Sequence, residues 1–207
     1  MLLREDYLYK IRGFYDSNLI KILVGIRRCG KSVILNQIIE ELKEKRKIDE
    51  DHIIFINFEF IEFEELLDYK KLNKFIKDKI QDNKIYYLFL DEIQNVDNFE
   101  KVVNSLRASI KNISIFLTGS NSKMLSDELS SVLSGRYVLF NINPLSYKEY
   151  VSLTNKDGRD LDTFWDYAKW GGLPNRCEFT NEIDIKNYLH SVYDSIILRD
   201  VVKRLNL

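Results

Sequence analysis

The residue types and spacings that could do chemistry fall in two short stretches, one built on a lysine and a serine, the other on two adjacent carboxylates. Lys31 and Ser32 close the segment Gly25-Ile26-Arg27-Arg28-Cys29-Gly30-Lys31-Ser32, which fits the pattern G-x-x-x-x-G-K-S. In such a loop the backbone N–H groups wrap a phosphate, the lysine reaches the β- and γ-phosphates, and the hydroxyl ligates Mg²⁺. A phosphate cradle is therefore expected from Gly25, Arg28, Cys29, Gly30, Lys31, Ser32 and Val33. For the side chains of Arg27 and Arg28, solvation is favoured over a direct phosphate contact. Asp91 and Glu92 end the apolar run Tyr86-Tyr87-Leu88-Phe89-Leu90. Two acids at the end of a buried strand are costly unless they face a cation and water. Asp91 suits a Mg²⁺-associated position beside Ser32, and Glu92 suits the group that polarises an attacking water. A chance match in a glycine-containing turn and a pair of solvated acids are the competing readings. The loop and the acids lie about sixty residues apart, and their joint presence favours the chemical reading.

The elements that must position these residues follow from periodicity. Leu19 to Val24 reads as a buried strand ahead of the loop, and Val33, Ile34, Leu35, Ile38, Ile39 and Leu42 mark a helix after it. The glycines thus stand where a strand gives way to a helix, whose N-terminus favours negative charge. Tyr7, Leu8, Ile11 and Phe14 make an amphipathic helix from Arg4 to Tyr15, read as a packing helix in preference to a flank for a base. His52 to Phe58 reads as a second strand, with Asn57 near its C-terminal end, where ligands of open α/β sheets gather; capping a turn is the equal alternative. Leu72, Phe75, Ile76 and Ile80 mark another helix, and Asp97-x-x-Glu100 a capping box opening the next. Ile113 to Leu117 is a strand followed by Thr118-Gly119-Ser120-Asn121, either polar groups for the γ-phosphate or an ordinary turn. A short helix is expected from Leu129 to Leu133. Arg136 precedes a fifth strand, Tyr137 to Ile142, and Ser146-x-x-Glu149 is a second capping box. Beyond Asn155 only helices are expected: Leu161 to Trp170, a turn at Gly171-Gly172-Leu173-Pro174-Asn175, and a last helix from Glu182. That helix reaches the final residue without a C-cap, which reads as a piece of a longer protein.

Strands alternating with helices imply a parallel α/β sheet with helices on both faces, with a core over residues 1–143 and helices over 144–207. The 207 residues carry a net charge of −1, which argues against electrostatic binding of nucleic acid by the chain as a whole; a local basic patch stays open. Two cysteines cannot build a disulfide framework, and Cys29 inside a phosphate loop suits a reducing cytoplasm. No apolar run is long enough to span a membrane, and no signal-peptide pattern opens the chain. His52 and His190 lack companion ligands and read as surface or boundary residues.

Taken in order, GIRRCGKS, YYLFLDEIQ, IFLTGSNSKML, LSGRYVLFNINPLSYKEY, WGGLPN and DSIILRDVVKRLNL resemble the N-terminal part of archaeal and bacterial AAA-type ATPases across most of the chain. The resemblance implies a P-loop NTPase fold with a five-stranded parallel sheet of order 5-1-4-3-2 and a small C-terminal helical lid. It implies ATP or ADP and Mg²⁺ as ligands, with Lys31 and Ser32 as Walker A residues and Asp91 and Glu92 as Walker B residues. Thr118 to Asn121 would be the sensor 1 region, Asn57 a polar residue restraining the catalytic glutamate, and Arg136 an arginine finger acting on a neighbouring copy in a homo-oligomer. No clear sensor 2 arginine is present; Arg176 is a weak candidate. Family members usually continue into a C-terminal domain. The expected activity is Mg²⁺-dependent ATP hydrolysis that drives or switches that domain or a partner. A nucleotide-binding switch with negligible turnover is the alternative. A small-metabolite kinase is a third reading, disfavoured because a kinase needs no glutamate to activate water.

Overall fold

The computed structural model describes residues 2–119, 133 and 135–197. The chain divides into two compact units, one of Glu5–Val24 with Lys31–Asn141, the other of Met1–Arg4, Gly25–Gly30 and Ile142–Leu207.

The first unit holds five strands: β1 (Ile20–Val24), β2 (Ile53–Asn57), β3 (Tyr86–Asp91), β4 (Ile113–Gly119) and β5 (Tyr137–Asn141). They pair in parallel in the order β2-β3-β4-β1-β5, which is the expected 5-1-4-3-2 sheet. Every residue of β1, β3 and β4 is buried, as expected of central parallel strands covered on both faces. Side chains alternate between the faces. On one face Ile20, Ile22, Val24, Ile54, Ile56, Leu88, Leu90, Ile115 and Leu117 form a single core with helices α3 (Tyr69–Lys79) and α4 (Phe99–Ser109), through Leu72, Ile76, Val102, Val103 and Leu106. The other face carries Leu23, Tyr87, Phe89 and Phe116. There Phe89 stacks on Phe116 at 4.7 Å and Tyr15 meets Phe116 edge-on at 6.0 Å. Helices α1 (Glu5–Arg12) and α2 (Lys31–Glu44) are tied together by Arg12 Nε to Glu41 Oε1 at 2.6 Å.

Lys21 interrupts the apolar run of β1 and is fully buried. Its Nζ donates to Ser114 Oγ at 2.8 Å and to the Ser17 carbonyl at 3.2 Å, and lies 4.6 Å from the Phe116 ring. Burial outweighs the nearby Asp16 charge and lowers its pKa to about 7.

Several expectations shift on the structure. β2 starts at Ile53; His52 closes a short 3₁₀ turn, Glu50–His52. His52 is buried, not at the surface: its ring lies 4.6 Å from that of Tyr86 and its Nε2 3.1 Å from Asp82 Oδ2, a partner no local pattern announces. The capping box at Asp97 does not form. Asn98 takes the N-cap in a left-handed conformation (φ 56°) without a side-chain cap, so α4 begins one residue late for that pairing. Thr118 and Gly119 continue β4 instead of forming the turn after it, because the ladder to β1 runs through Leu23↔Thr118 and Val24↔Gly119. The acidic stretch between Glu59 and Asp68 contains a 3₁₀ helix, Ile61–Leu67. The expected helix from Leu129 to Leu133 lies almost wholly outside the described residues, as do Ser120, Asn121 and the chain beyond Ile197.

The second unit contains α5 (Tyr147–Thr154), α6 (Leu161–Trp170) and α7 (Glu182–Ile196). The expected capping box opens α5: the Glu149 N–H donates to Ser146 Oγ, and Glu149 Oε2 accepts the Ser146 N–H at 2.8 Å. Gly172 is dictated by contact, since a Cβ there would stand 2.1 Å from the Leu145 carbonyl oxygen. Arg176 is buried. It bonds Asp166 Oδ2 at 3.1 Å and the Gly171 carbonyl at 3.2 Å, with its guanidinium 4.9 Å from the Tyr150 ring. Among the described residues no helix is long and apolar enough to cross a membrane.

Candidate nucleotide site

In the α/β unit the parallel register does most of the positioning. Asn57 pairs with Asp91 across β2 and β3, and Leu90 with Leu117 across β3 and β4. One step further, Asn57, Asp91 and Thr118 form a row across three adjacent strands at their C-terminal ends. Asp91 is fully buried and its oxygens are individually held. Oδ2 accepts from Asn57 Nδ2 at 3.0 Å, and Oδ1 from the Thr118 hydroxyl in a short hydrogen bond. The Ser32 hydroxyl also bonds this carboxylate. Burial nevertheless raises the Asp91 pKa; the bonds from Thr118 and Ser32 and the Lys31 charge pull it down, while neighbouring Glu92 pushes it up. A carboxylate so placed gains from a cation.

Glu92 takes a left-handed backbone (φ 55°, ψ 43°), which costs an ordinary residue about 1 kcal/mol. Its N–H donates to Thr118 Oγ1 at 2.9 Å, so one hydroxyl serves both acids. Its Oε1 lies 3.8 Å from Lys31 Nζ, and Oε2 accepts from Gln94 Nε2. Lys31 and Ser32 are the first two residues of α2, and Lys31 is buried. The structure thus brings Lys31, Ser32, Asn57, Asp91, Glu92 and Thr118 to one corner. Asn57 bonds Asp91, and its Oδ1 accepts the Glu59 N–H at 2.8 Å, while Glu92 accepts from Gln94. Arg136 is not in the corner. It is exposed and precedes β5, at the sheet edge opposite the strand C-termini, where its carbonyl accepts the Ile20 N–H at 3.0 Å.

The loop Gly25–Gly30 belongs to the other unit. Gly25 admits no side chain: a Cβ would meet the Ile142 carbonyl oxygen at 2.2 Å and Cys29 Sγ at 2.7 Å. Gly30 has φ +102° and Arg28 φ +64°, a sharply turned segment. The Cys29 N–H donates to the Ile26 carbonyl at 3.4 Å, and Cys29 is buried. The Arg28 guanidinium lies 5.7 Å from the Tyr188 ring on α7. Val33 is the third residue of α2.

The AAA domain family profile matches residues 17–151, from just ahead of β1 into α5. The chain belongs to the AAA domain family. An uncharacterized protein of Haemophilus influenzae is 39% identical over 209 residues, covering 99% of this chain and 51% of that protein. One of Methanocaldococcus jannaschii is 36% identical over 199 residues, covering 90% and 43%. The chain spans about half the length of these curated relatives. Among solved structures, AMPPCP-bound DnaA from Aquifex aeolicus aligns with a TM-score of 0.52 at 16% identity, covering 97% of this chain and 65% of that one. That likeness shows a shared P-loop fold. An AAA fold of this kind is a nucleotide-binding one.

Two residues with evident roles went unmarked in the sequence. Gln94 stands two places after Glu92, and its only signal was being polar beside two acids. Arg4 holds the loop carbonyl of Cys29 and pairs with Glu149, and nothing near it in sequence points to either.

Proposed function

We propose that this AAA domain binds ATP with Mg²⁺ and hydrolyses it, with Glu92 orienting the attacking water. The observation that carries the reading is the corner itself: Lys31 and Ser32 from α2, Asp91 from the end of β3, Glu92 just after it and Thr118 from β4, linked by hydrogen bonds and an ion pair. The glycine loop that leads into Lys31 would wrap the phosphates through its N–H groups. Lys31 Nζ, now beside the Glu92 carboxylate, would turn to the β- and γ-phosphates, leaving Glu92 to accept from water. Ser32 and Asp91 fit a Mg²⁺ site, because Mg²⁺ is held by one or two protein oxygens plus phosphate and water. When bound, Mg²⁺ neutralises charge that builds on the phosphate oxygens. Thr118 fixes Asp91 and the backbone of Glu92 together, so the two acids keep their spacing. Steady-state phosphate release should require Mg²⁺, should not rise with added small hydroxyl acceptors, and should fall when Asp91→Asn weakens Mg²⁺-dependent binding. Mg²⁺-independent release would contradict the assignment.

Arg136 is proposed as a finger acting on the γ-phosphate of a neighbouring copy. Its exposed side chain and its place at the sheet edge remote from its own acids support that role. Residues 144–207 are proposed as the lid and the start of a C-terminal region, and the greater length of the relatives supports a further domain that the cycle drives.

A second reading has one specific observation behind it. Gln94 and Lys31 both engage the Glu92 carboxylate, an arrangement suited to a nucleotide-held switch with negligible turnover. Tight nucleotide binding with no phosphate release from demonstrably assembled protein would favour it.

A further inference from the structure

Arg4 is 3% exposed, and its guanidinium is almost fully committed to acceptors far away in sequence. Nε and Nη2 grip Glu149 through both carboxylate oxygens, at 2.8 and 3.0 Å. Nη1 donates to the carbonyls of Cys29 and Asn143, each at 3.0 Å, and Nη2 reaches the Pro144 carbonyl at 3.4 Å. Glu149 is itself fixed, because Oε2 also accepts the Ser146 N–H at 2.8 Å and the Ser146 hydroxyl at 3.0 Å. Burial raises the Glu149 pKa, but the bonds from Arg4 and Ser146 outweigh it and the net shift is downward. Glu149 therefore stays charged at neutral pH, and a planar guanidinium held bidentately has a defined direction.

The Cys29 carbonyl shares its peptide plane with the Gly30 N–H. In a trans peptide these two groups point in opposite directions. No peptide among the described residues is cis. A donor that captures the Cys29 carbonyl therefore turns the Gly30 N–H away from Arg4. Gly30, at φ +102°, has no side chain to resist a flip of that plane, and its virtual Cβ would meet Arg4 Nη1 at 3.6 Å. Without Arg4, both orientations of the Cys29–Gly30 peptide become accessible. In one of them the loop presents a carbonyl where a phosphate needs an N–H.

We propose that Arg4 is a positioning residue of the phosphate loop: held by Glu149, it sets the orientation of the Gly30 N–H with which the loop grips phosphate. This rests on the nucleotide reading above. The alternative is that Arg4 only anchors the start of the chain.

The probe is inorganic pyrophosphate, titrated into ¹⁵N-labelled protein while the Gly30 amide resonance and the melting temperature are followed. The parent Gly30 resonance should move on saturation. Arg4→Met keeps the apolar stem and removes the donors; its pyrophosphate affinity should fall about tenfold or more, the scale of losing hydrogen bonds from a charged group. The Gly30 resonance should shift even before ligand is added. Arg4→Lys, which reaches one acceptor at a time, should recover part of the affinity, and Glu149→Gln should lose part of it. A pure anchor would lower the melting temperature of Arg4→Met and leave the affinity of the folded protein unchanged, which overturns the proposal. If Arg4→Met does not fold, Glu149→Gln decides: parent affinity with an unmoved Gly30 resonance overturns it. Lys31→Ala is the control. Loss of binding there with none in Arg4→Met defeats this inference alone, whereas no binding by the parent defeats the phosphate-loop reading and this inference together.

Discussion

The acid corner of the α/β unit and the Arg4 clamp of the helical unit are both buried polar networks, built in opposite ways. In the corner, Asp91, Thr118 and Asn57 sit on three neighbouring strands, and the parallel register lines them up. Each is the polar residue at or near the end of an apolar run, so the pattern that makes the strand also delivers the group. In the clamp, Arg4 meets a carboxylate 145 residues away and a loop carbonyl 25 residues away. No periodicity or motif relates them; only the folded chain does. Groups delivered by repeating backbone geometry are therefore readable in advance, and groups delivered by long-range side-chain capture are not.

Lys31→Ala should have the largest effect on the corner. Lys31 is the one corner residue placed to carry a positive charge to the phosphates, and its ion pair with Glu92 is long at 3.8 Å. Removing it should weaken ATP binding by about a hundredfold or more, on the scale of a buried charge pair losing one partner, with little change in melting temperature. Titration with a fluorescent ATP analogue reads this directly, and equal affinities would remove the corner from the nucleotide site.

Thr118→Val tests whether the corner is a network or a row of neighbours. Valine keeps the shape but deletes the hydroxyl that donates to Asp91 and accepts from Glu92 N–H. A buried N–H left without its acceptor costs about 1–3 kcal/mol. Denaturant unfolding should show a loss in that range, and a cost near zero would mean that water or a rearranged side chain replaces the hydroxyl.

The effect at Lys21 bears on stability alone and not on the nucleotide corner, and Lys21 belongs with the clamp as a group the sequence conceals. Its pKa is about 7 in the folded chain against an ordinary 10.5, so between those values the unfolded chain binds more protons. Stability must then rise with pH across that window, and the cost of burying the charge is fully present below pH 7. Lys21→Met should melt higher than the parent at pH 6, with the gap narrowing as the pH approaches 10. A gap independent of pH would show that Lys21 stays charged in the fold.

The sheet was legible because β1, β3 and β4 are mostly apolar runs of strand length, broken only by Lys21 in β1 and by Ser114 and Thr118 in β4, and the crossovers carry helical spacing. The strand order came through the resemblance, since five runs alone leave many orders open. Strand ends were less legible: Thr118 looked like a turn residue until the ladder to Leu23 carried β4 past it. Asp97 and Ser146 offered the same capping spacing, yet only Ser146 caps, because Asn98 adopts the left-handed backbone that takes over the start of α4. Gln94 on Glu92 could be noticed but not placed, since a residue two positions away reaches back only when the backbone turns as it does at Glu92.

Glu92→Gln separates water activation from nucleotide binding. The amide keeps the shape of the side chain and its place beside Gln94, and removes the negative charge that faces Lys31 together with the ability to take a proton. ATP affinity of this variant should equal that of the parent, while single-turnover hydrolysis slows by roughly 10²–10⁴-fold, the range for losing a positioned general base. Equal affinity with hydrolysis at the parent rate would show that Glu92 does not activate the water.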